Sequence, residues 1–274
     1  LGAANDFIKT GQVDFIRIST RPDCIDQDIL NLLKEYRVKI IELGVQSMDE
    51  QVLKMSNRGH GREDVIKASK LIKDNGFILG LQMMIGLPGD TIQKDIQTAK
   101  DMIQLKPDIV RIYPTLVIKG TFLEEMYINN MYTPLNLEEA INISKQLLIL
   151  FEKNGILVIR LGLQTTENIN SNNDVIAGPF HAALKELVYT ELRYDLISYI
   201  LNSLNIQKGQ NVFLRVNSRE VSITSGHNKI NIKKLKDNYG IEKMKISGHN
   251  NVETGQVILR IANITVCMNQ RFIH

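Results

Sequence analysis

One stretch decides the fold: residues 77–90, which read FILGLQMMIGLPGD. An apolar run of strand length, residues 77–85, is followed at once by a turn that contains two glycines and a proline. The next apolar residues recur at the three- and four-residue spacing of one helical face: Ile92, Ile96, Ala99 and Ile103. The stretch therefore predicts a buried strand, a tight turn and a helix in that order.

The same strand–helix pattern recurs on both sides of this stretch. Further apolar runs of strand length lie at residues 13–19, 38–44, 109–116 and 156–163. Helical patterns separate them, with predicted N-caps at Asp26 and in a capping box formed by Asn136 and Glu139. Alternating strands and helices predict right-handed βαβ units and a parallel sheet. The spacing fits either a (β/α) barrel or a doubly wound sheet, and the lack of a Gly-x-Gly-x-x-Gly motif disfavours dinucleotide binding.

The character of the sequence changes after about residue 165. Residues 168–173 are polar and rich in Asn, which predicts a loop or a domain boundary. A helical pattern and then several short strand patterns follow, which predict a small α+β module. We predict three parts: a barrel at residues 1–165, a loop and helix packing on it at 166–205, and the module at 206–274.

Composition limits the class of protein. The chain has 274 residues, 43% hydrophobic and 23% charged, which is ordinary for a soluble globular protein. Its formal net charge of +3 does not by itself indicate a nucleic-acid or membrane partner. No apolar run approaches the roughly 20 residues of a membrane-spanning helix. The two cysteines, Cys24 and Cys267, are too few for a disulfide framework or a metal cluster and favour a reduced, cytoplasmic compartment.

Polar turns follow four of the predicted strands directly. They begin at Ser19, Gly44, Gly86 and Tyr113. In parallel α/β proteins the loops at the carboxyl ends of the strands line the functional site, so these turns predict a ligand pocket on one rim. Gln46, Gln82 and Arg111 also lie within or at the ends of apolar strands, where a buried polar group needs a partner. The alternative is that these segments are ordinary polar turns.

Four motifs resemble the radical S-adenosylmethionine (SAM) core of the elongator catalytic subunit. They are Ser19-Thr20-Arg21-Pro22-Asp23, Glu42-Leu43-Gly44-Val45-Gln46-Ser47, Asn57-Arg58-Gly59-His60 and Tyr113-Pro114-Thr115-Leu116-Val117-Ile118-Lys119-Gly120-Thr121. The resemblance extends to elongator-like bacterial proteins that have no acetyltransferase domain, and more distantly to oxygen-independent coproporphyrinogen oxidase. It implies a partial TIM-type (β/α) barrel of the radical SAM type, with a small α+β C-terminal module. Residues 13–19 would be its third strand, so we expect a segment upstream of Leu1.

The resemblance also implies the chemistry of the intact protein. Members of this superfamily bind a [4Fe–4S] cluster through three closely spaced cysteines, bind SAM at the cluster, and generate a 5′-deoxyadenosyl radical. Cys24 and Cys267 cannot supply such a set, so the cluster ligands are expected upstream of this chain. The leading substrate hypothesis is a tRNA base. Two alternatives stay open: a non-catalytic nucleic-acid-binding protein with a degenerate barrel, and a coproporphyrinogen oxidase-like enzyme.

The resemblance assigns SAM contacts to five residues: Ser19, Gln46, Arg58, Gln82 and Gly86. Arg58 is expected to pair with the SAM carboxylate, a contact that suits a guanidinium group. Gln46 is expected to hydrogen-bond the ribose or the carboxylate, and Gly86 to let the backbone approach the adenine. Ser19 departs from the family pattern, because related sequences tend to carry Glu there. The alternative for each is a structural role, such as a capping amide or a solvated arginine.

Three further residues are candidates on the substrate side. Arg21 and Tyr113 are predicted to face the substrate, and Lys119 to contact a phosphate or the tRNA backbone. Structural pairing is the alternative for all three. In the C-terminal module, a glycine turn at Gly226 opens a lysine-rich helix and resembles the KH nucleic-acid clamp, although Lys229 replaces its second glycine. The alternative there is a solvated basic helix face.

Overall fold

The computed structural model describes residues 1–163 and 174–272. The predicted loop at residues 168–173 lies outside the described residues. The chain forms two compact units, Leu1–Ala182 and Ala183–His274. The predicted division after residue 165 adjoins the range that is not described and stays a prediction.

The first unit is built on a parallel sheet. Its strands are β1 (Ile16–Thr20), β2 (Val38–Gln46), β3 (Ile78–Ile85), β4 (Ile109–Pro114), β5 (Val117–Ile118), β6 (Leu157–Leu161) and β7 (Val175–Ala177). Its helices are α1 (Gly2–Lys9), α2 (Gln27–Glu35), α3 (Glu50–Met55), α4 (Arg62–Asp74), α5 (Ile92–Gln104), α6 (Phe122–Ile128) and α7 (Leu137–Lys153). The main sheet has the order β1-β2-β3-β4-β6 with every pair parallel, and β5 pairs antiparallel with β7.

This architecture confirms the predicted βαβ units and their parallel sheet. Both predicted helix starts are present: Asp26 accepts the Ile29 N–H at 2.8 Å, and Asn136 and Glu139 cap each other's backbone N–H at 2.9 and 2.8 Å. The first strand is shorter than predicted and begins only at Ile16. The reason is that the Val13 N–H donates to the Phe7 carbonyl, which closes the turn after α1.

The second unit is a small α+β module, as predicted. Its elements are α8 (Leu184–Ser203), β8 (Asn211–Val216), α9 (Val221–Ser225), α10 (Ile230–Tyr239), β9 (Lys243–Gly248), β10 (Gln256–Ile261) and β11 (Ile264–Asn269). The sheet order is β11-β10-β8-β9, in which only β8 and β9 run parallel. One face of this sheet is the core of the unit, because its side chains are at most 2% exposed: Val212, Leu214, Val216, Val257, Leu259 and Ile261.

A buried ion pair stabilises the second unit behind this sheet. Arg193 on α8 has no exposed surface, and its guanidinium lies 2.6 Å from Glu220 and 2.7 Å from the Gly255 carbonyl oxygen.

Within the described ranges, no helix combines the length and apolarity that crossing a bilayer requires.

Candidate functional site

A polar cavity of about 480 Å³ opens beside the carboxyl-terminal halves of β1, β2 and β3. Five of the eight predicted site residues line it: Ser19, Arg21, Gln46, Arg58 and Gln82. They come from three successive strand–loop segments, so the parallel sheet brings together motifs that are up to 63 residues apart in sequence. This is the rim on which the sequence placed a ligand pocket.

Gln46 is held in an unusual backbone conformation at the end of β2. Its φ is +64°, which non-glycine residues adopt rarely and at a cost. The Gln82 amide donates to the Gln46 side-chain oxygen at 3.4 Å. A Cβ added to Gly44 would lie 2.7 Å from the Gln46 Nε2, so a side chain at this position would displace the amide. The Gly-Val-Gln motif therefore fixes one amide group at the wall of the cavity.

Arg58 brings a positive charge to the cavity without a counterion. Its Nη2 donates to the Met84 Sδ at 3.1 Å, and its Nε is buried without a hydrogen-bond partner. Within residues 1–163 and 174–272, no carboxylate forms an ion pair with it. Burial lowers the pKa of Arg58, although a guanidinium stays protonated in proteins. A desolvated cation of this kind favours an anionic ligand.

Arg21 lies in the same cavity wall, but its charge is already balanced. Its Nε and Nη2 form a bidentate pair with Asp23 at 2.9 and 2.6 Å, and Nη2 also donates to the Gly59 carbonyl at 3.3 Å. The hydrogen bond and the charge of Asp23 raise the pKa of Arg21, and the same hydrogen bond lowers the pKa of Asp23. Arg21 therefore ties the loop after β1 to the turn that carries Arg58.

Glu42 belongs to the Glu42–Ser47 motif, and the structure places its carboxylate at the centre of the polar cluster. Glu42 is 2% exposed, with its Oε1 3.0 Å from the Arg111 Nη2 and 3.5 Å from the Arg17 Nε. The Ser19 hydroxyl donates to its Oε2 at 3.2 Å. Glu42 is thus the partner that the half-buried Arg111 was expected to need. The sequence contains a signal for this pair, because an acid lies in one apolar strand and an arginine in another, and buried charges need partners.

Gly86 does not line this cavity. Its φ is +70°, and an added Cβ would lie 2.6 Å from the Leu135 Cδ1. Its carbonyl oxygen accepts the Tyr132 hydroxyl at 2.7 Å. The glycine is required by this turn and by the packing of Leu135, and its adenine contact stays a prediction.

The structure places two predicted substrate-side residues away from the cavity lining. Tyr113 is 8% exposed, and its hydroxyl accepts a hydrogen bond from the Arg111 Nη1 at 3.2 Å. Lys119 is exposed, and its backbone N–H donates to the Asp174 carbonyl at 2.9 Å beside the β5–β7 pair. Their roles toward a substrate stay predictions.

His60, which ends the Asn57-Arg58-Gly59-His60 motif, also lines the cavity. It is 9% exposed, and its Nε2 donates to the Val45 carbonyl at 3.1 Å. Its Nδ1 is buried with no partner among the described residues. The ring therefore braces the backbone immediately before Gln46.

The donor set of the cavity suits a polar organic anion. Its walls present amide, hydroxyl, imidazole and guanidinium groups around a single buried carboxylate that is already paired. In the part of the chain that the structure describes, no group of three His, Cys, Asp or Glu residues could hold a metal ion. Cys24 and Cys267 are both exposed and belong to different units.

Comparison with protein families gives two matches. The model of the radical SAM superfamily matches residues 4–102, and the model of the Radical_SAM C-terminal domain matches residues 107–194. The chain belongs to the radical SAM superfamily. Ser19, Arg21, Gln46, Arg58 and Gln82 all lie within the first of the two matches.

The relatives of this radical SAM chain include elongator proteins, as the motifs indicated. It is 42% identical over 130 residues to the tRNA uridine(34) acetyltransferase of Methanocaldococcus infernus, covering 46% of this chain and 24% of that protein. It is 30% identical over 219 residues to Elongator complex protein 3 of Bos taurus, covering 78% and 36%.

A solved structure confirms the fold. The archaeal Methanocaldococcus infernus Elp3 with an N-terminal deletion superposes with a TM-score of 0.60 at 28% identity, covering 72% of this chain and 49% of that one. This radical SAM chain therefore spans between 24% and 49% of the length of these three relatives.

Proposed function

We propose that this chain is the SAM-binding part of a cytoplasmic radical SAM enzyme that modifies tRNA. The observation that carries the proposal is the unneutralised guanidinium of Arg58, which lines the same cavity as the Gln46 amide within the radical SAM match. The choice of tRNA is supported by the relative whose name is tRNA uridine(34) acetyltransferase.

The residues present fit SAM. Arg58 would hold its carboxylate by a charge-assisted hydrogen bond, which would supply the missing counterion. Gln46 and Gln82 would offer amide groups to the ribose hydroxyls or the carboxylate, and Gly44 leaves the space that the Gln46 amide occupies.

When bound at a reduced [4Fe–4S] cluster, SAM supplies a 5′-deoxyadenosyl radical for hydrogen abstraction from a substrate. The cluster itself needs three thiolates, and the two cysteines of this chain do not provide them. The thiolates would therefore come from outside these 274 residues. The contribution of this chain is to bind and orient the ligand through Arg58, Gln46 and Gln82.

Binding of an adenosyl ligand should depend on Arg58 far more than on Arg21. Titrating the chain with S-adenosylhomocysteine by calorimetry, we expect Arg58→Ala to weaken binding about 10- to 100-fold, the usual effect of losing a charge-assisted hydrogen bond. Arg21→Ala is the matched control, because Asp23 already neutralises this arginine in the same cavity wall. We expect it to weaken binding about fivefold at most, because it removes only the hydrogen bond to the Gly59 carbonyl that holds the turn carrying Arg58. Equal losses, or no binding by the unchanged chain, would contradict the assignment.

The enzymatic part of the proposal requires the longest natural gene product. We expect that protein, purified anaerobically and reconstituted with iron and sulfide, to cleave SAM reductively to 5′-deoxyadenosine. Gln46→Ala should lower the yield without removing the iron–sulfur absorbance, since Gln46 lies on the SAM side. A protein that forms no cluster and cleaves no SAM would contradict an enzyme and leave a non-catalytic nucleic-acid-binding protein.

A further inference from the structure

The second unit carries an open sheet face that differs sharply from its buried one. Side chains alternate along a strand, so the residues between the buried Val212, Leu214 and Val216 point the other way. Across β8, β9, β10 and β11, seven strand residues on this surface line one groove and form the basic sheet face: Phe213, Arg215, Lys245, Ser247, Ile258, Arg260 and Thr265.

The sheet register brings the cations of this face together. Arg215 is paired with Ser247, Phe213 with Lys245, and Arg260 with Phe213 on the neighbouring strands. Together they line a groove of about 460 Å³. An adjoining groove of about 350 Å³ shares Phe213 and Arg260. No Asp or Glu is among the residues that line either groove in the part of the chain that the structure describes.

The face also contains a flat platform and hydrogen-bonding groups. The Arg260 guanidinium carbon lies 5.3 Å from the centre of the Phe213 ring. Aromatic rings and arginine planes are the surfaces on which unstacked nucleic-acid bases lie. The Ser247 hydroxyl and the His249 Nε2, which are 3.1 Å apart, edge the same groove and can bind sugar or base-edge atoms.

The charge of the chain is concentrated in this unit. Residues 183–274 contain 13 Lys and Arg against 7 Asp and Glu, whereas residues 1–182 contain 20 against 23. The formal charges are therefore +6 and −3, and the overall value of +3 conceals a basic module. Such a concentration of positive charge attracts polyanions.

The glycine turn before α10, whose sequence resembles a KH clamp, is a weaker candidate for binding a polyanion. A Cβ on Gly226 would lie 2.8 Å from the Ile230 Cγ2 and 3.2 Å from the Thr190 Cγ2, so this turn is packed against α8. Lys234 on α10 is 3.5 Å from Glu191, which offsets part of the charge of that helix. The basic sheet face has no such neutralising partner along its grooves in the described residues.

We propose that the basic sheet face binds single-stranded RNA, with Lys245 and Arg215 on phosphates and a base stacked on the Arg260–Phe213 platform. The inference deepens the proposed function, on which the choice of RNA rests. The residues that would bind the RNA all lie after residue 194, where the second of the two family matches ends. An acidic protein could pair with the cations, but it has no base to stack on the Arg260–Phe213 platform.

The test is fluorescence anisotropy of a labelled single-stranded RNA of mixed sequence, about 12 nucleotides long to fill one binding site, with the whole chain and without SAM or reductant. We expect Lys245→Glu to weaken binding about tenfold and to lower the slope of log K against log salt by about 0.7, the value for one lost phosphate contact. Phe213→Leu should weaken binding about 5- to 10-fold with the slope unchanged, because stacking is not ionic. The matched control Lys233→Glu makes the same charge change on the exposed surface of α10 and should alter binding about twofold or less.

Two results would overturn the proposal: equal weakening by Lys233→Glu and Lys245→Glu, or displacement of the RNA by polyaspartate of equal total charge as readily as by unlabelled RNA. A second measurement needs no variant. RNA that carries 4-thiouridine should crosslink to peptides from residues 243–249 and 256–265, and crosslinks confined to residues 227–239 would contradict the assignment. SAM cleavage is measured separately, so failure of the radical SAM proposal and failure of this one can be distinguished.

Discussion

Replacing Glu42 by glutamine is expected to lower the free energy of unfolding of the first unit by about 3–5 kcal/mol, the usual effect of removing one partner of a buried ion pair. Glu42 is 2% exposed and lies 3.0 Å from Arg111, whose side chain is 14% exposed. Without the carboxylate, the half-buried Arg111 guanidinium is left with its charge uncompensated. Urea denaturation at neutral pH, followed by circular dichroism, measures the change.

An exposed ion pair in the same unit provides the control for this substitution. Asp23→Asn makes the same carboxylate-to-amide change beside Arg21, whose side chain is 56% exposed, and should lower the free energy of unfolding far less, because solvent screens an exposed ion pair. The double variant Glu42→Gln/Arg111→Gln should cost less than the sum of its two single variants, because neither charge is then left alone. The role of Glu42 is contradicted if Glu42→Gln costs no more than Asp23→Asn.

Glu42 illustrates what the sequence could and could not predict about the site. The alternation of strands and helices and the two helix caps follow from local periodicity and capping residues, and the structure confirms them. The partners of Glu42 come from β1 and β4, in positions set by the sheet register rather than by any local pattern. The motifs therefore predict where the pocket lies. The ion pairs and hydrogen bond of Glu42 can be identified only from the three-dimensional structure.

Arg58 and Arg21 show the same limit in another way. Both are arginines in motifs of the same resemblance, and both line the cavity. Arg21 is paired with Asp23 two residues away, a contact that the sequence alone permits but does not require. That Arg58 meets no carboxylate in the described residues depends on what lies across the sheet, so its special electrostatic state is visible only in three dimensions.

The second unit shows how sequence clustering can point to a weaker surface. Lys229, Lys233 and Lys234 are close together along the chain, which predicts a basic surface on α10. Arg215, Lys245 and Arg260 are scattered over 46 positions, yet three strands bring them to one groove. Period-2 alternation predicts that β8 has an exposed face, but the neighbours on that face depend on the strand order.

Replacing Asp95 by asparagine is expected to stabilise the first unit at alkaline pH. It should also make the free energy of unfolding depend less on pH. Asp95 is 2% exposed on α5, and burial, followed by the nearby charge of Asp90, raises its pKa to about 9. In the unfolded chain the carboxyl has its ordinary pKa of about 4. Between these two values the folded state binds a proton that the unfolded state has lost, so the free energy of unfolding falls as the pH rises. The amide introduced by Asp95→Asn would donate to Asp90 without taking up a proton, which should give a gain on the order of 3 kcal/mol at about pH 8 and little change at about pH 4.

The second buried aspartate of α5 makes the comparison specific, because the same substitution there should have the opposite sign. Asp101 is 5% exposed, lies 2.7 Å from the Arg62 guanidinium and accepts a hydrogen bond from Gln97 at 2.9 Å. Asp101→Asn removes an ion pair that is formed at neutral pH, so it should destabilise the protein there by about 1–2 kcal/mol. Thermal unfolding of the unchanged chain and both variants, measured at intervals from about pH 4 to about pH 9, tests the pair. If Asp95→Asn followed the same pH curve as the unchanged chain, Asp95 would be ionised in the folded state, and the stabilisation expected here would not exist.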